Sequence, residues 1–336
     1  MLVALTDPIE PAGEAILRAA GHETTLLPRG GDMAALRALC AAAEAVIVRR
    51  KLPDDLVEAS PRLLAAVRHG VGVDLIPVER CTARGVVVAN VPGANADAVA
   101  EFVVAQMLAI ARHAEAMHTE LLAAGWDTAR ARSGTATELT GKTLGIVGVG
   151  AIGTRLAEIA HHGFRMRVLG HRRNPAGLPP HVAHADLPAL FAESDYVALA
   201  CPLTEETRGL ASAALIGRMK PGAWLLNVSR GAVVDEDALV AALRERRIGG
   251  AALDVYAVQP LAPDHPLRSL PDALLTPHAA GLTRESVARM STVSAEEVVR
   301  VLRGEKPLNF INPEAWPAAQ ARRRALGHAM PEGAAP

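Results

Sequence analysis

The amino-acid sequence predicts an α/β protein built from two doubly wound parallel sheets. Short apolar runs of β character alternate with amphipathic stretches along most of the 336 residues, the pattern of successive βαβ units. The runs are continuously apolar rather than alternating, which suits parallel strands covered on both faces. They fall into two series separated by a long helical stretch, and at roughly 150 residues per domain the length fits two domains.

The first series is Leu2–Leu5, Ala45–Val48, Leu64–Val67 and Val86–Ala89. The separating helix spans about Ala96–Leu122 and carries Val99, Phe102, Val103, Gln106, Met107 and Ile110 on one face. The second series is Leu144–Val147, Arg167–Leu169, Tyr196–Ala200, Trp224–Val228, Ala251–Val255 and Leu274–Thr276. A last amphipathic stretch, Glu285–Leu302, offers a route back to the first unit. The expected domains are therefore residues 1–95 with 283–316, and residues 96–282. The remainder, residues 317–336, is rich in Ala, Pro and Arg and is expected to be a loosely ordered tail.

Composition narrows the function. Half the residues are hydrophobic and 21% charged, as in a folded globular protein. A formal net charge of −1 argues against a general nucleic-acid binder. Aromatics make up only 3%, so the core is left to Ala, Val, Leu and Ile, and a large ring-stacking pocket is disfavoured. No charge-free run exceeds 12 residues, against the roughly 20 that span a bilayer, and Met1–Asp7 has no signal-peptide pattern. A cytoplasmic protein with no membrane partner is expected. Cys40, Cys81 and Cys201 are few, odd in number and far apart, and read as reduced buried residues. No metal-ligand spacing occurs.

The strongest local signal is Gly148-Val-Gly150-Ala151-Ile152-Gly153, which follows the run Leu144–Val147 and opens an amphipathic helix. In that context Gly148 permits the tight turn, Gly150 lets the backbone approach a pyrophosphate, and Gly153 lets helix and strand pack closely. The amides and dipole of the helix N-terminus favour the phosphate charge. A site for NAD has an acid about 20 residues beyond the turn. Here the second strand runs instead into His171-Arg172-Arg173, and no acid occurs between Glu158 and Asp186. A guanidinium at Arg172 or Arg173 suits a 2′-phosphate, so NADP is favoured over NAD; the competing reading is an ordinary solvated turn.

Further stretches match in order and spacing: His69-Gly-Val71-Gly72-Val-Asp74, Asn95 through Val99-Ala-Glu101, and Pro202-Leu-Thr204 with Thr207. Beyond them come Asn227-Val-Ser-Arg230-Gly231, Val234-Asp235, Ala252-Leu-Asp254-Val255 and Thr276-Pro-His278. Together with the glycine turn, over about residues 40–310, they resemble the D-2-hydroxyacid dehydrogenase family, which includes glyoxylate/hydroxypyruvate reductases, phosphoglycerate dehydrogenase and formate dehydrogenase. The resemblance implies a Rossmann cofactor domain inserted in a flavodoxin-like substrate domain, with the active site in the cleft. It also implies roles. Arg230 grips the substrate's carboxylate and carbonyl oxygen, His278 delivers the proton, and Asp254 holds the nicotinamide carboxamide. Pro202 and Thr207 lie on the cofactor side, backbone amides at Val71 and Gly72 hold the carboxylate, and Asn95 lines the cleft. The long helix, with Met107 and Met117, resembles the family's dimerisation element, so a homodimer is expected. Residue chemistry supports the central pair: a fixed cation stabilises charge on a reduced carbonyl oxygen, and imidazole donates protons near neutral pH. Asp254 and Asp235 have a simpler reading as helix caps.

One position departs from the family pattern. Most members place Glu five residues after the Asp of the Asp-Val motif; here Gln259 stands there, before Pro260. A neutral amide orients the imidazole without stabilising its charge. Formate dehydrogenases also carry Gln at this place, and their hydride transfer needs no proton donor. Three functions are therefore weighed. The first is NADP-preferring reduction of a small 2-keto acid, with Gln259 orienting His278. The alternatives are a formate dehydrogenase-like reaction and a dinucleotide-sensing binding protein of the corepressor type. Arg49-Arg50-Lys51 and Arg68 raise the further possibility of a substrate with a second anionic group, against a solvated loop.

Overall fold

The computed structural model describes residues 1–328. It divides the chain into two compact units, one formed by Met1–Asn95 with the segment from Thr283, the other by Ala96–Leu282. In the first, β1 (Leu2–Leu5), α1 (Pro11–Ala19), β2 (Glu23–Leu26), α2 (Met33–Ala42), β3 (Ala45–Val48), β4 (Ala65–Arg68), α3 (Val78–Ala83) and β5 (Val87–Ala89) follow one another. Their sheet is wholly parallel with order β2-β1-β3-β4-β5, the flavodoxin-like order. Helix starts follow capping chemistry: Asp32 accepts the Ala35 amide at 2.9 Å ahead of α2, and proline opens α1.

The second unit begins with α4 (Ala96–Arg112), α5 (Ala114–Ala124) and α6 (Trp126–Ala131). The expected single helix Ala96–Leu122 is thus two. The chain breaks at His113, which takes a left-handed φ of 51°, and helical periodicity does not reveal such a single-residue break. Next come β6 (Thr143–Val147), α7 (Ala151–Glu158), β7 (Arg167–His171), β8 (Val182–His184), α8 (Leu187–Glu193), β9 (Tyr196–Leu199), α9 (Ala213–Ile216), β10 (Trp224–Asn227), α10 (Glu236–Arg244), β11 (Gly250–Leu253) and β12 (Ala273–Leu275). All seven strands are parallel, in the order β12-β11-β10-β9-β6-β7-β8, a Rossmann arrangement whose winding reverses at β6.

The chain then returns to the first unit through α11 (Arg284–Leu302), opened by a Thr283–Ser286 capping box, and α12 (Trp316–Ala325). The expectation of a loose tail from Pro317 is corrected over residues 317–328. Ala319 and Arg323 are buried there, and Arg322 donates to the carbonyls of Leu63, Ser60 and Pro61. Two of the arginines that suggested a solvated tail, Arg322 and Arg323, are consumed as donors to backbone, while Arg324 is exposed. Residues 329–336 of the expected tail lie outside the described residues. Each unit has its own apolar clusters, with no buried residue shared. Among the described residues no helix is long and apolar enough to cross a membrane.

Candidate active site

Three loops meet at the turn after β6. Gly148 has a φ of 96°, and a Cβ there would lie 2.5 Å from the Cys201 nitrogen. Its amide donates to the His171 carbonyl at 2.9 Å. The tips of β7 and β9 thus close on the turn from either side. A Cβ on Gly153 would lie 2.5 Å from the Gly148 carbonyl oxygen, whereas one on Gly150 would meet nothing within 4 Å. Two glycines are therefore required by packing and the middle one guards open space, as a phosphate cradle demands. Inside α7 the first amide satisfied by its own helix is that of Thr154, on the Gly150 carbonyl at 2.8 Å. The Ala151, Ile152 and Gly153 amides lie in the unsatisfied first turn. Beside them Arg172 donates to the Gly177 carbonyl at 2.7 Å, and Arg173 approaches Glu206 at 3.4 Å across two exposed side chains. The loop after β9 closes on itself, with Thr207 donating to the Pro202 carbonyl at 2.6 Å.

A second cluster forms where β10, β11 and β12 end side by side. Asn227 pairs with Leu253, and Leu253 with Leu275. Arg230, Asp254 and His278 thus leave adjacent strands at one sheet edge. Asn227 is buried and sets the turn to Arg230: its Oδ1 accepts from the Ser229 amide and hydroxyl at 3.0 and 2.8 Å, and its Nδ2 donates to the Arg230 carbonyl at 3.0 Å. Gly231 packs so closely that a Cβ would lie 1.8 Å from the Tyr256 carbonyl carbon. Asp254, 2% exposed, takes the Thr276 hydroxyl at 2.7 Å and the Ala279 and Ala280 amides at 2.8 and 2.9 Å. It caps no helix. It binds the turn that carries His278, itself at a left-handed φ of 56°. His278 Nδ1 and Gln259 Oε1 are 3.0 Å apart, and Gln259 Nε2 donates to the Tyr256 carbonyl at 3.4 Å. With the amide so oriented, Nδ1 carries the proton that Gln259 Oε1 accepts. Asp235 does cap α10, through the Ala238 amide at 3.1 Å.

In the first unit the loop after β4 turns its carbonyls inward. Arg68 donates to the carbonyls of His69 (2.7 Å), Gly72 (3.1 Å) and Val48 (2.7 Å), Asn90 to that of Val71 (2.6 Å) and the Val91 amide to that of Gly70 (3.0 Å). Among the described residues the Val71 and Gly72 amides donate to no protein acceptor. Asn95 presents a buried Oδ1 without a partner. His69 is not poised for catalysis. It is buried, its Nε2 donates to Ser291 Oγ at 2.9 Å, and burial together with the Arg49 and Arg68 charges pushes its pKa down to about 4. Three of the four cations suggested for a second anion site, Arg68, Arg49 and Arg50, already have protein partners. Arg68 holds backbone, Arg49 donates to the Pro8 carbonyl, and Arg50 grips Asp7 at 2.6 and 3.0 Å. Among the described residues no group of three or more His, Cys, Asp or Glu is arranged to hold a metal ion.

The NAD-binding domain model of the D-isomer specific 2-hydroxyacid dehydrogenases matches residues 104–280. The glyoxylate reductase of Aeropyrum pernix is 42% identical over 270 residues, 77% of this chain and 79% of its own. This chain belongs to the D-2-hydroxyacid dehydrogenase family. Among solved structures, the NADPH-dependent glyoxylate/hydroxypyruvate reductase of Sinorhizobium meliloti, in complex with citrate, superposes with a TM-score of 0.81. It has 28% identity, and the match covers 94% of this chain and 98% of that one. The NAD-dependent formate dehydrogenase of Staphylococcus aureus gives 0.78 at 28% identity over 89% and 94%.

Within this member of the family, the sequence reading missed Asn227, Gly231 and Thr276 as supports of the site. All three sit inside the motifs that carry the resemblance, but their work is hydrogen bonding and close packing within a turn. The only sequence signal was their adjacency to Arg230 and His278.

Proposed function

We propose that this chain reduces a small 2-keto acid to the D-2-hydroxy acid, with NADPH preferred. The observation that carries the reading is the placement of Arg230 after β10 and His278 after β12, the two strands that flank β11 and its Asp254. The turn around Gly150 fits a dinucleotide pyrophosphate, since it keeps open the volume a side chain would fill. Gly148, Gly150, Gly153 and the Ala151 and Ile152 amides would hold it. Pro202 and Thr207 would flank it, and Asp254 would border the nicotinamide. Arg172 and Arg173 favour a 2′-phosphate: the strand end itself carries no acid, and the carboxylate near Arg173 is that of Glu206, 3.4 Å away on the loop after β9 and exposed. The reduced cofactor supplies the hydride.

Arg230 places a cation where negative charge develops on the carbonyl oxygen, an interaction worth several kcal/mol in a dry site. His278 holds a proton at Nε2 for that oxygen while Gln259 fixes the ring through Nδ1. The Val71 and Gly72 amides suit the substrate carboxylate, because their own carbonyls are turned away and occupied. Asn95 offers an acceptor to a donor group. The few aromatics favour a small aliphatic substrate. A homodimer is proposed through α5 and α6, where Leu121, Leu122 and Trp126 are 45%, 75% and 66% exposed. Met107 is fully buried in its own unit and is not part of that face.

The Gln259–His278 pair supports a second reading, formate oxidation, in which no proton is delivered. A panel of glyoxylate, hydroxypyruvate, pyruvate and formate, assayed with both phosphorylated and unphosphorylated cofactor, separates the two. Oxidation of NADPH by a keto acid is expected. Reduction of NAD(P)+ by formate alone would replace the first reading with the second.

A further inference from the structure

Glu236, the first residue of α10, turns its carboxylate away from its own helix. One oxygen accepts the Ala257 amide at 3.1 Å and the other lies 3.0 Å from His265 Nε2. The two side chains are only 19% and 23% exposed. His265 Nδ1 accepts the Leu267 amide at 3.3 Å, so Nε2 carries the proton and donates to Glu236. A single carboxylate therefore closes the loop Ala257–His265 at both ends, and Gln259 lies within it.

The peptide Tyr256–Ala257 is the shared point. Its N–H goes to Glu236, its carbonyl takes Gln259 Nε2, and Gly231, next to Arg230, lies flat against it. The strand end that carries Arg230 and the amide that orients His278 are thus referenced to one rigid group, held from the side by Glu236.

We propose that Glu236 is a positioning residue for His278, acting through the Tyr256–Ala257 peptide and Gln259, with His265 as the far end of the same tether. The inference rests on the role given to His278 under the proposed function. It adds a carboxylate that never touches the imidazole yet determines where its partner stands. Glu236→Gln keeps shape but cannot accept from both Ala257 and His265 while the Leu267 amide keeps its acceptor.

The test is a double-mutant cycle with Gln259→Ala. In Glu236→Gln, kcat for keto-acid reduction should fall about tenfold with the dinucleotide Kd unchanged. In the Gln259→Ala background the same change should cost less than twofold. Without substrate, the His278 Nδ1 nitrogen resonance of Glu236→Gln should move toward that of Gln259→Ala, and amide exchange across Ala257–His265 should quicken at least tenfold. Equal losses in the two backgrounds, or an unmoved His278 resonance, would overturn the proposal. If Glu236→Gln does not fold, His265→Asn is put through the same cycle with the same expectations. A wild-type protein inert toward every 2-keto acid would instead remove the proposed function, and the resonance and exchange measurements would still decide whether the tether exists.

Discussion

At the scale of single residues, His278 and His69 show two opposite uses of imidazole. His278 is exposed and oriented by an amide 3.0 Å from Nδ1. Gln259→Glu places a charge there and favours the imidazolium. Because the reductive direction consumes a proton held on His278, the high-pH limb of kcat/KM for keto-acid reduction should move upward. A pH–rate profile identical to wild type would show that His278 does not supply the proton.

His69 is buried and held well below its ordinary value of 6.5, at about 4. Between those two values the unfolded chain binds a proton that the folded chain refuses. His69 therefore costs nothing above pH 6.5, and its contribution weakens the fold as the pH falls toward 4, by roughly 3 kcal/mol at most. His69→Gln can still donate to Ser291 and does not titrate. Its denaturation midpoint should therefore fall less than wild type between pH 7.5 and pH 4.5. The His69 imidazole was visible in the sequence, but its burial was not. Nothing in His69-Gly-Val-Gly distinguishes a catalytic ring from one packed against a serine 222 residues away.

At the scale of elements, the three glycines after β6 predict different failures. Gly148→Ala meets both a left-handed φ and the Cys201 backbone at 2.5 Å, and should lower Tm by several degrees. Gly150→Ala meets nothing, so the free protein should melt near wild type while dinucleotide affinity falls at least tenfold. Calorimetry and fluorescence titration of the pair read the two effects apart.

The elements themselves were unevenly legible. Central strands stood out because both faces are buried, as in Ala45–Val48 and Tyr196–Leu199. The strands that went unread, β2 and β8, lie at sheet edges, where partial exposure removes the continuous apolar run. The glycine turn and the residues of the candidate site were readable because their chemistry is local. The break at His113 and the ordering of α12 depend on contacts far along the chain.

At the scale of the whole molecule, α5 has no buried residue of its own, and the apolar side chains of its Leu121 and Leu122, with that of Trp126 at the start of α6, stand exposed. Large apolar side chains grouped on a folded surface mark an interaction face. If two copies meet there, Leu122→Glu with Trp126→Glu should yield a monomer by sedimentation velocity, with the far-ultraviolet spectrum retained. A wild type that sediments as a monomer at micromolar concentration would refute the homodimer.

The first unit is sewn from both ends of the chain, and this imposes an order of assembly. The five strands of its sheet leave the ribosome first, yet Ala295, Val298, Val299, Val301 and Leu302 of α11, which cover one face of that sheet, are translated only after all of Ala96–Leu282. A nascent polypeptide thus carries a sheet face covered only in part, by α1, for the time needed to make an entire domain, the kind of exposure that recruits chaperones. The inserted domain is free to fold during that interval, and completion of its host waits on the final helices.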